Sequence, residues 1–492
     1  MTNLEYDAIV IGAGVVGPCI ATAFARQGKR VLIIERDWSK PDRIVGELMQ
    51  PAGVKALREL GMIKAVNNIQ AIDCTGYYIQ YFNHHLSIDY PLKEVAQVTN
   101  PTKPIHDVGT FGGNDKLDLD STIDPKEWDQ DERVRGVAFH HGDFLQNLRA
   151  ICRNEPNVTT VESTVTKLIR DEDEVVVGVK AKDKNGEFSE YYAKLTIGCD
   201  GIYSKFRKEL SAANVPNIGS YFVGLYLENA ELPAQNKGHV LLGDHAPVLM
   251  YHVSPTETRV LCAYRSTKPP SSANNEIYKY IKKEVVPVIP KVTLPAFLEA
   301  LEKKKFRVMP NQYLSAMKQG KTPGFILLGD SLNMRHPLTG GGMTVGLNDA
   351  VLLAKLLAHV DDFADHTQIS DKMAIFHRKR KNLDAVINTL SIALYSLFAA
   401  DKRALKILQN GCFQYFQLGG ECVSGPIGLL SGMLPFPMLL FNHFFSVAFY
   451  SIYINFCTRG VLGVPVALYE ALDVLFTAVV IFTPYLWKEV VM

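Results

Sequence analysis

Apolar residues are distributed along the chain in three regimes. Residues 6–11 form a β-rich apolar run of the kind buried on both faces of a parallel sheet. Glycines break the run at 12, 14 and 17, residues 18–27 read as an Ala-rich helix ended by Gly28, and residues 30–34 read as a second strand closing at Glu35. That is one βαβ unit. Residues 91–135 show no sustained period, and their recurring Pro, Gly and Asp predict a long, partly disordered surface insertion. Strands are expected within 158–179 and 187–197, and the alternation over 240–264 predicts an antiparallel sheet suited to floor or roof a substrate cavity. A short buried strand is expected at 325–328, followed by a Gly-rich turn and a helix over 344–357.

Beyond residue 385 the chain reads as wholly helical. Two stretches, 435–457 and 461–484, are each long enough to cross a hydrocarbon layer of about 30 Å. His443 interrupts the first, and Glu470 with Asp473 interrupts the second. An Asp at mid-depth costs at least about 2.5 kcal/mol on insertion scales. A hairpin lying in one leaflet tolerates such residues more easily. Monotopic insertion is therefore expected, with spanning helices and buried core helices left open.

Composition adds limits. At 492 residues, length alone suggests more than one structural unit. With 52 Lys+Arg against 51 Asp+Glu, no global field draws the chain to nucleic acid. The hydrophobic content of 47% hides a mixed, soluble first part and an apolar C-terminal region. Eight cysteines include no CxxC pair, which argues against a disulfide scaffold or a zinc site and for small buried hydrophobes in a reducing compartment. No metal is expected. The polar N-terminus gives no sign of a signal peptide.

Gly12-Ala13-Gly14-Val15-Val16-Gly17 sits where a dinucleotide fingerprint belongs, after a strand and opening a helix. Gly12 permits the tight turn, Gly14 lets backbone approach a pyrophosphate, and Gly17 lets helix pack on strand. Glu35 follows about twenty residues on, at the distance a ribose-binding acid needs. This much cannot separate FAD from NAD. The discriminator is Phe325-Ile326-Leu327-Leu328-Gly329-Asp330 with Pro337-Leu338-Thr339-Gly340-Gly341-Gly342-Met343, which resembles the second fingerprint of flavoprotein hydroxylases. Asp330 would accept a hydrogen bond from a ribityl chain, and a helix beginning near Met343 would aim its positive end at the flavin N1/C2 edge. Read alone, Asp330 is also compatible with a solvated turn aspartate. Cys199-Asp200-Gly201-Ile202-Tyr203-Ser204-Lys205-Phe206-Arg207 resembles the mid-chain motif of the same group, and reads equally as a strand-to-helix turn with Ser204 near its cap. No second GxGxxG appears, so nicotinamide binds transiently or electrons come from a partner protein.

Residues 35–37, 41–51, 200–208, 334–347 and 393–400 together resemble the squalene monooxygenase (squalene epoxidase) family in its fungal form, over essentially the whole chain. Two departures are Ala52, where the family has glycine after Gln-Pro, and Asp143, where arginine is common; no cofactor role is assigned to 143. The resemblance implies an α/β fold: a Rossmann-type FAD-binding domain like that of flavoprotein hydroxylases, a β-sheet substrate domain and a C-terminal helical membrane-binding region. The corresponding segments are 1–90, 136–215 and 321–385 for FAD, 91–135 for the insertion, 216–320 for substrate and 386–492 for the membrane.

It further implies FAD contacts at Val15 and Val16 (turn backbone), Glu35 and Arg36 (adenosine ribose), Arg43 and Leu48 (isoalloxazine side), Arg149, Val165, Asp330 and Met343, beside Gly12, Gly14, Gly17, Gly341 and Gly342 of the two fingerprints. Arg149 read alone is equally an exposed helix arginine. Tyr77 is implied as the hydrogen-bond donor of the catalytic pocket, with a packed strand tyrosine as the alternative. Phe398, Phe413 and Phe416 are candidates to wall a hydrocarbon tunnel, or plain core or lipid-facing residues.

The implied activity is O₂-dependent epoxidation of squalene to (3S)-2,3-oxidosqualene through a C4a-hydroperoxyflavin, toward ergosterol. NADPH electrons would arrive through NADPH–cytochrome P450 reductase. The implied location is the cytosolic face of the endoplasmic reticulum membrane, in contact with membrane lipid, with lipid droplets as a second site. Such chemistry needs a dry, shaped pocket and neither a protein nucleophile nor a metal. Competing readings are another flavin reductase or hydroxylase on the same fold, and a non-enzymatic prenyl-lipid carrier.

Overall fold

The computed structural model describes residues 5–43, 46–93, 132–210, 214–266, 268–271 and 275–491. Most of the insertion expected over 91–135 lies outside the described residues.

The predicted βαβ unit opens a seven-stranded sheet. Strand β1 (Tyr6–Ile11) lies parallel between β2 (Val31–Glu35) and β11 (Phe188–Gly198), and β8 (Val158–Glu162) extends the sheet beyond β2. Ala8, Ile9 and Val10 are fully buried, as an uninterrupted apolar run in a two-sided parallel sheet should be. Strand β11 is the branch point. Its first half pairs antiparallel with β10 (Val176–Lys182), itself paired with β9 (Thr164–Arg170); its second half pairs with β1 and with β17 (Phe325–Leu327).

A second seven-stranded sheet runs β16 (Arg307–Tyr313), β12 (Asn217–Glu228), β15 (Glu257–Tyr264), β14 (Val248–Ser254), β13 (Lys237–Leu242), β5 (Gly76–Tyr81), β6 (His84–Asp89). The antiparallel sheet expected over 240–264 forms its centre. Strands β5 and β6, which the sequence division assigns to the first FAD segment, belong here, with Tyr77 opposite Gly238. A hairpin's local pattern fixes its own pairing but not the sheet it joins. Alternation sorts the faces: Val223, Leu225, Val260 and Cys262 face outward under helix α4 (Leu294–Glu302), while Phe222, Leu261 and Ala263 face inward. A small sheet of β3 (Leu48–Met49), β7 (Gly136–Ala138) and β4 (Ile72–Cys74) joins the two.

Helices α1 (Val16–Arg26), α2 (Pro51–Glu59), α3 (His141–Arg153) and α5 (Gly341–Leu357) pack around the first sheet. The C-terminal region is helical from residue 366, earlier than its hydropathy indicated. The Asp365 carboxylate caps helix α6 (His366–Ala399) by accepting from the Gln368 amide. The charged residues that hid this helix include Arg380 and Asp384, both buried.

Helices α7 (Arg403–Gln417) and α8 (Glu421–Leu430) close over the inner face of the second sheet, and α9 (Pro437–Arg459) and α10 (Val464–Val491) form an antiparallel hairpin beyond them. By length and composition α6, α9 and residues 461–485 are each long and apolar enough to cross a membrane. Their surroundings differ: 61% of the apolar window is buried in α6, against 17% in α9 and 22% in α10. Two of the polar residues that interrupt the last two stretches, His443 and Glu470, turn toward protein. His443 is 3.0 Å from the Tyr415 hydroxyl, and Glu470 accepts from Arg459 at 2.6–2.7 Å and Asn455 at 2.8 Å and pairs with Arg403. Phe449, Tyr453, Leu462, Leu472 and Phe476 are exposed. All eight cysteines are unpaired and six are buried.

Candidate functional site

The glycines of the first fingerprint do different jobs. Gly12 has φ +98°, and a Cβ there would lie 2.6 Å from the Cys199 carbonyl oxygen. At Gly17 a Cβ would lie 2.0 Å from the Gly12 carbonyl oxygen, so both positions are closed by protein backbone. At Gly14 no protein atom lies within 4 Å. That space opens at the positive end of α1, where a pyrophosphate is attracted.

The Glu35 carboxylate accepts from the Ala13 amide at 2.6 Å and the Asp37 amide at 3.1 Å, tying the turn to the end of β2. Arg149 is buried, not an exposed helix arginine. Its Nε and Nη1 donate to the carbonyls of Ala13 and Ser39, each at 2.9 Å, and Nη2 lies 3.9 Å from Glu35. Val165 is buried two residues beyond Ser163, whose amide donates to the Glu35 carbonyl. Arg36 and Arg43 are exposed on the segment that follows β2.

Val16 joins the two fingerprints. A Cβ at Gly329 (φ +72°) would lie 3.1 Å from its Cγ2, and one at Gly346 would lie 2.8 Å from it, so the valine fills a slot that the two glycines make. The mid-chain motif joins the same turn: Arg207 donates from Nε to the Ser331 carbonyl at 2.9 Å and from Nη2 to the Asp330 carbonyl at 3.2 Å. Asp200 Oδ1 and Ser204 Oγ are buried without a protein partner. The Asp330 side chain is exposed although protein crowds around it. Desolvation there pushes its carboxyl above the usual range, against the pull of Arg335, Arg43 and Arg207.

Helix α5 starts at Gly341, three residues earlier than predicted, after Gly340 in the left-handed region at φ +63°. A Cβ at Gly341 would meet Ile387, whereas at Gly342 nothing lies within 4 Å. Each fingerprint thus presents one glycine to open space, at a helix N-terminus, with Asp330 nearby in sequence. That arrangement fits a dinucleotide cofactor such as FAD. Leu48 and Met343 are buried on β3 and α5.

Tyr77 lies beside the second fingerprint. The Gln50 amide nitrogen donates to its oxygen at 2.5 Å and to the Thr339 carbonyl at 2.6 Å, and the Tyr90 hydroxyl donates to Gln50 Oε1 at 2.6 Å. Thr339 offers only an acceptor here, which fixes which end of the Gln50 amide points where. Burial holds the Tyr77 phenol well above its usual range, so it stays protonated. Gly238 makes room for its ring: a Cβ there would be 3.1 Å from Tyr77 Cε1. Gln50 lies within the stretch that carries the family resemblance but was assigned no role, and no motif marks Tyr90.

Around Tyr77, Leu48, Leu249, Leu338, Phe398 and Phe413 form one apolar cluster between the second sheet and the C-terminal helices. Phe416 packs against it, so the three phenylalanines face protein rather than lipid. On the other side of Leu48, the buried Glu47 carboxylate accepts two bonds from Arg259, at 2.7 and 3.0 Å.

His336 is buried here too, stacked on Tyr395 with centroids 4.1 Å apart. Its ring nitrogens bond the Leu338 amide and the Ser220 hydroxyl, each at 3.2 Å. Burial pushes its pKa from 6.5 to about 3, so it is neutral in the folded state. Below 6.5 the unfolded chain takes up the proton and the folded chain does not. Stability from this residue is complete above 6.5 and is lost as pH falls toward 3. On lowering the pH from 7.5 to 5.5, the stability gap between the parent and His336→Gln should narrow by about 1.4 kcal/mol in denaturant unfolding; a constant gap would refute this.

A family model described as squalene epoxidase matches residues 192–469. The chain is 72% identical to a squalene epoxidase of Candida albicans over 100% of both chains. The chain belongs to the squalene epoxidase family. It is accordingly an enzyme of the FAD-dependent monooxygenase type. It is also 53% identical to a squalene epoxidase of Saccharomyces cerevisiae, over 99% of this chain and 97% of that one. Identity to a squalene monooxygenase of Rattus norvegicus is 38%, over 98% and 78%. Among solved structures, Klebsiella pneumoniae HpxO complexed with FAD and uric acid gives a TM-score of 0.63 at 16% identity, covering 88% of this chain and 97% of that one. Pseudomonas aeruginosa PqsL in complex with 2-aminobenzoylacetate gives 0.60 at 16%, covering 80% and 96%. These two share the fold, the flavoprotein hydroxylase type expected from sequence.

Proposed function

We propose that this chain epoxidises squalene to (3S)-2,3-oxidosqualene, with the alkene held between Tyr77 and the apolar cluster of Phe398 and Phe413. The observation that carries the reading is the Tyr77–Gln50–Thr339 link. One amide ties the phenol to the turn that opens α5, so the pocket's polar donor and the flavin fingerprint form one rigid unit. Gly14 and the α1 N-terminus take the pyrophosphate, Glu35, Arg36, Arg149 and Val165 the adenosine, and Asp330 the ribityl chain. Arg43, Leu48, Gly341, Gly342 and Met343 border the ring. Bound FAD supplies the oxygen chemistry.

The residues do the rest. Squalene lacks polar handles, so its affinity comes from buried area at roughly 25 cal/mol per Å². The same apolar walls keep water from the reacting centre. Electrons come from NADPH through NADPH–cytochrome P450 reductase, at the cytosolic face of the endoplasmic reticulum membrane. The test is incubation of the purified protein with FAD, NADPH, the reductase, squalene and O₂. Oxygen-dependent epoxide is expected, and its absence with flavin bound would overturn the proposal.

The α9–α10 hairpin lies in one leaflet, exposed apolar face toward lipid, and draws squalene from it. Leu462→Asp with Phe476→Asp should weaken binding to phosphatidylcholine vesicles by about tenfold or more, read by flotation. Unchanged flotation would refute the lipid face, and a protease-protected lumenal fragment in sealed vesicles would refute the single-leaflet placement.

A further inference from the structure

The last turn of α10 carries an acid that contact with neither lipid nor solvent explains. Glu489 is fully buried. One carboxylate oxygen accepts from the Tyr313 hydroxyl at 2.7 Å and the Asn388 amide at 3.0 Å, and the other from the Lys381 ammonium at 3.1 Å. Tyr485, one turn earlier, packs edge-on against Tyr313 at 5.3 Å. A buried carboxylate is unfavourable unless its partners replace water, and a leucine would anchor a helix end without that penalty.

The partners lead inward. The same Asn388 amide nitrogen lies 3.2 Å from Asn333 Oδ1. That oxygen is a hub, accepting from Arg335 Nη2 at 2.6 Å and lying 3.4 Å from Arg380 Nη2. Arg335 Nη1 in turn donates to the carbonyls of Gly341 and Gly342, at 3.4 and 3.3 Å. Arg380 is itself fixed by Asp349 at 2.6 and 3.0 Å and by Asp384, so the hub has one rigid wall. The Asn388 side of it bonds the chain's last helix directly, and the Arg380 side reaches it through Asp384 and Lys381.

We propose that Glu489 is a positioning residue for the flavin site, acting through Asn388, Asn333 and Arg335 on the first turn of α5. The inference rests on the FAD placement proposed above. Asn388 spends the two hydrogens of one amide nitrogen on Glu489 and Asn333. Without the carboxylate the amide keeps one of the two bonds that fix it, the one to Asn333 Oδ1, and is free to swing about that single contact. Arg335 keeps its bond to the Asn333 carbonyl at 2.9 Å but loses the fixed position of Oδ1, and with it goes the exact placement of the helix turn whose unpaired amides form the positive end beneath the flavin.

The test is FAD affinity of the full-length protein in detergent, by flavin fluorescence titration, with the bound-flavin absorbance spectrum and the melting temperature of the apoprotein recorded beside it. Glu489→Ala and Asn388→Ala should each raise Kd about tenfold, and the double variant should match the singles rather than multiply them. Glu489→Gln keeps an acceptor for Asn388 and should stay within about threefold of the parent. Trp487→Ala, at an exposed residue of the same turn, should leave both Kd and the spectrum unchanged. Parent-like affinity and spectrum in Glu489→Ala, or multiplicative effects in the double variant, would overturn the proposal. If Glu489→Ala does not fold, Asn388→Ala decides: parent-like affinity there overturns it equally. A parent protein that binds no FAD would instead sink the placement itself.

Discussion

Replacing Gly14 by valine is expected to raise the Kd for FAD about 100-fold or more, while the apoprotein melts within about 2 °C of the parent. The two halves of this result come from one observation: a Cβ at position 14 meets no protein atom within 4 Å. An isopropyl group there displaces only what a ligand would occupy. It costs the pyrophosphate its approach to the α1 amides, and two lost charge-assisted hydrogen bonds suffice for a change of this size. Gly17→Ala supplies the contrast. Its single methyl group would sit 2.0 Å from the Gly12 carbonyl, so backbone must move and the apoprotein itself should melt lower. Fluorescence titration and thermal unfolding of both variants check the pair. Normal FAD binding by Gly14→Val would mean that this open space is not where the cofactor lies.

The contrast also shows what the sequence could and could not disclose. The fingerprint, Glu35 and the Gly329-Asp330 turn were legible because each answers a local need: a positive φ, a close approach, an acid at a strand end. Sequence assigns Gly12, Gly14 and Gly17 their roles in general, and the structure separates the two closed by protein backbone from the one that faces open space. Arg149 was ambiguous because helical periodicity places it at the margin of the apolar face of α3, and only the fold reveals the Ala13 carbonyl waiting there. The role of Gln50 left no trace. Its partner Thr339 is 289 positions away, and no spacing rule reaches across that interval. The β5–β6 hairpin was not read from the sequence beyond Tyr77 as a possible strand tyrosine, and its sheet could not be, because β13, its partner, lies far along the chain. Charged residues misled once, at the start of α6, where Arg380 and Asp384 answer each other inside the core.

The Glu47–Arg259 pair belongs to the same class of long-range feature, and Glu47→Ala is expected to destabilise the protein by about 3–5 kcal/mol. Glu47 lies in the segment that leads into β3, and Arg259 on β15, so the pair ties the small three-stranded sheet to the second seven-stranded sheet. Both side chains are buried, and the guanidinium also lies 4.8 Å from the Tyr226 ring centroid. Burial pushes the Glu47 carboxyl above its usual range despite Arg259, which means that desolvation outweighs attraction at this site. Deleting the acid therefore leaves an arginine that can neither lose its proton nor reach water, and its desolvation is no longer offset. Removing both charges removes both penalties. Glu47→Leu with Arg259→Met should accordingly recover most of the loss, giving a coupling of about 2–3 kcal/mol in a double-mutant cycle of denaturant midpoints. Additive losses would show that the two residues act apart. FAD titration of the stable double variant then isolates what the tie does for the site: if it only stabilises, FAD affinity returns with the fold, and if it also sets the spacing between β3 and β15, epoxidation stays impaired in a protein that folds and binds FAD normally.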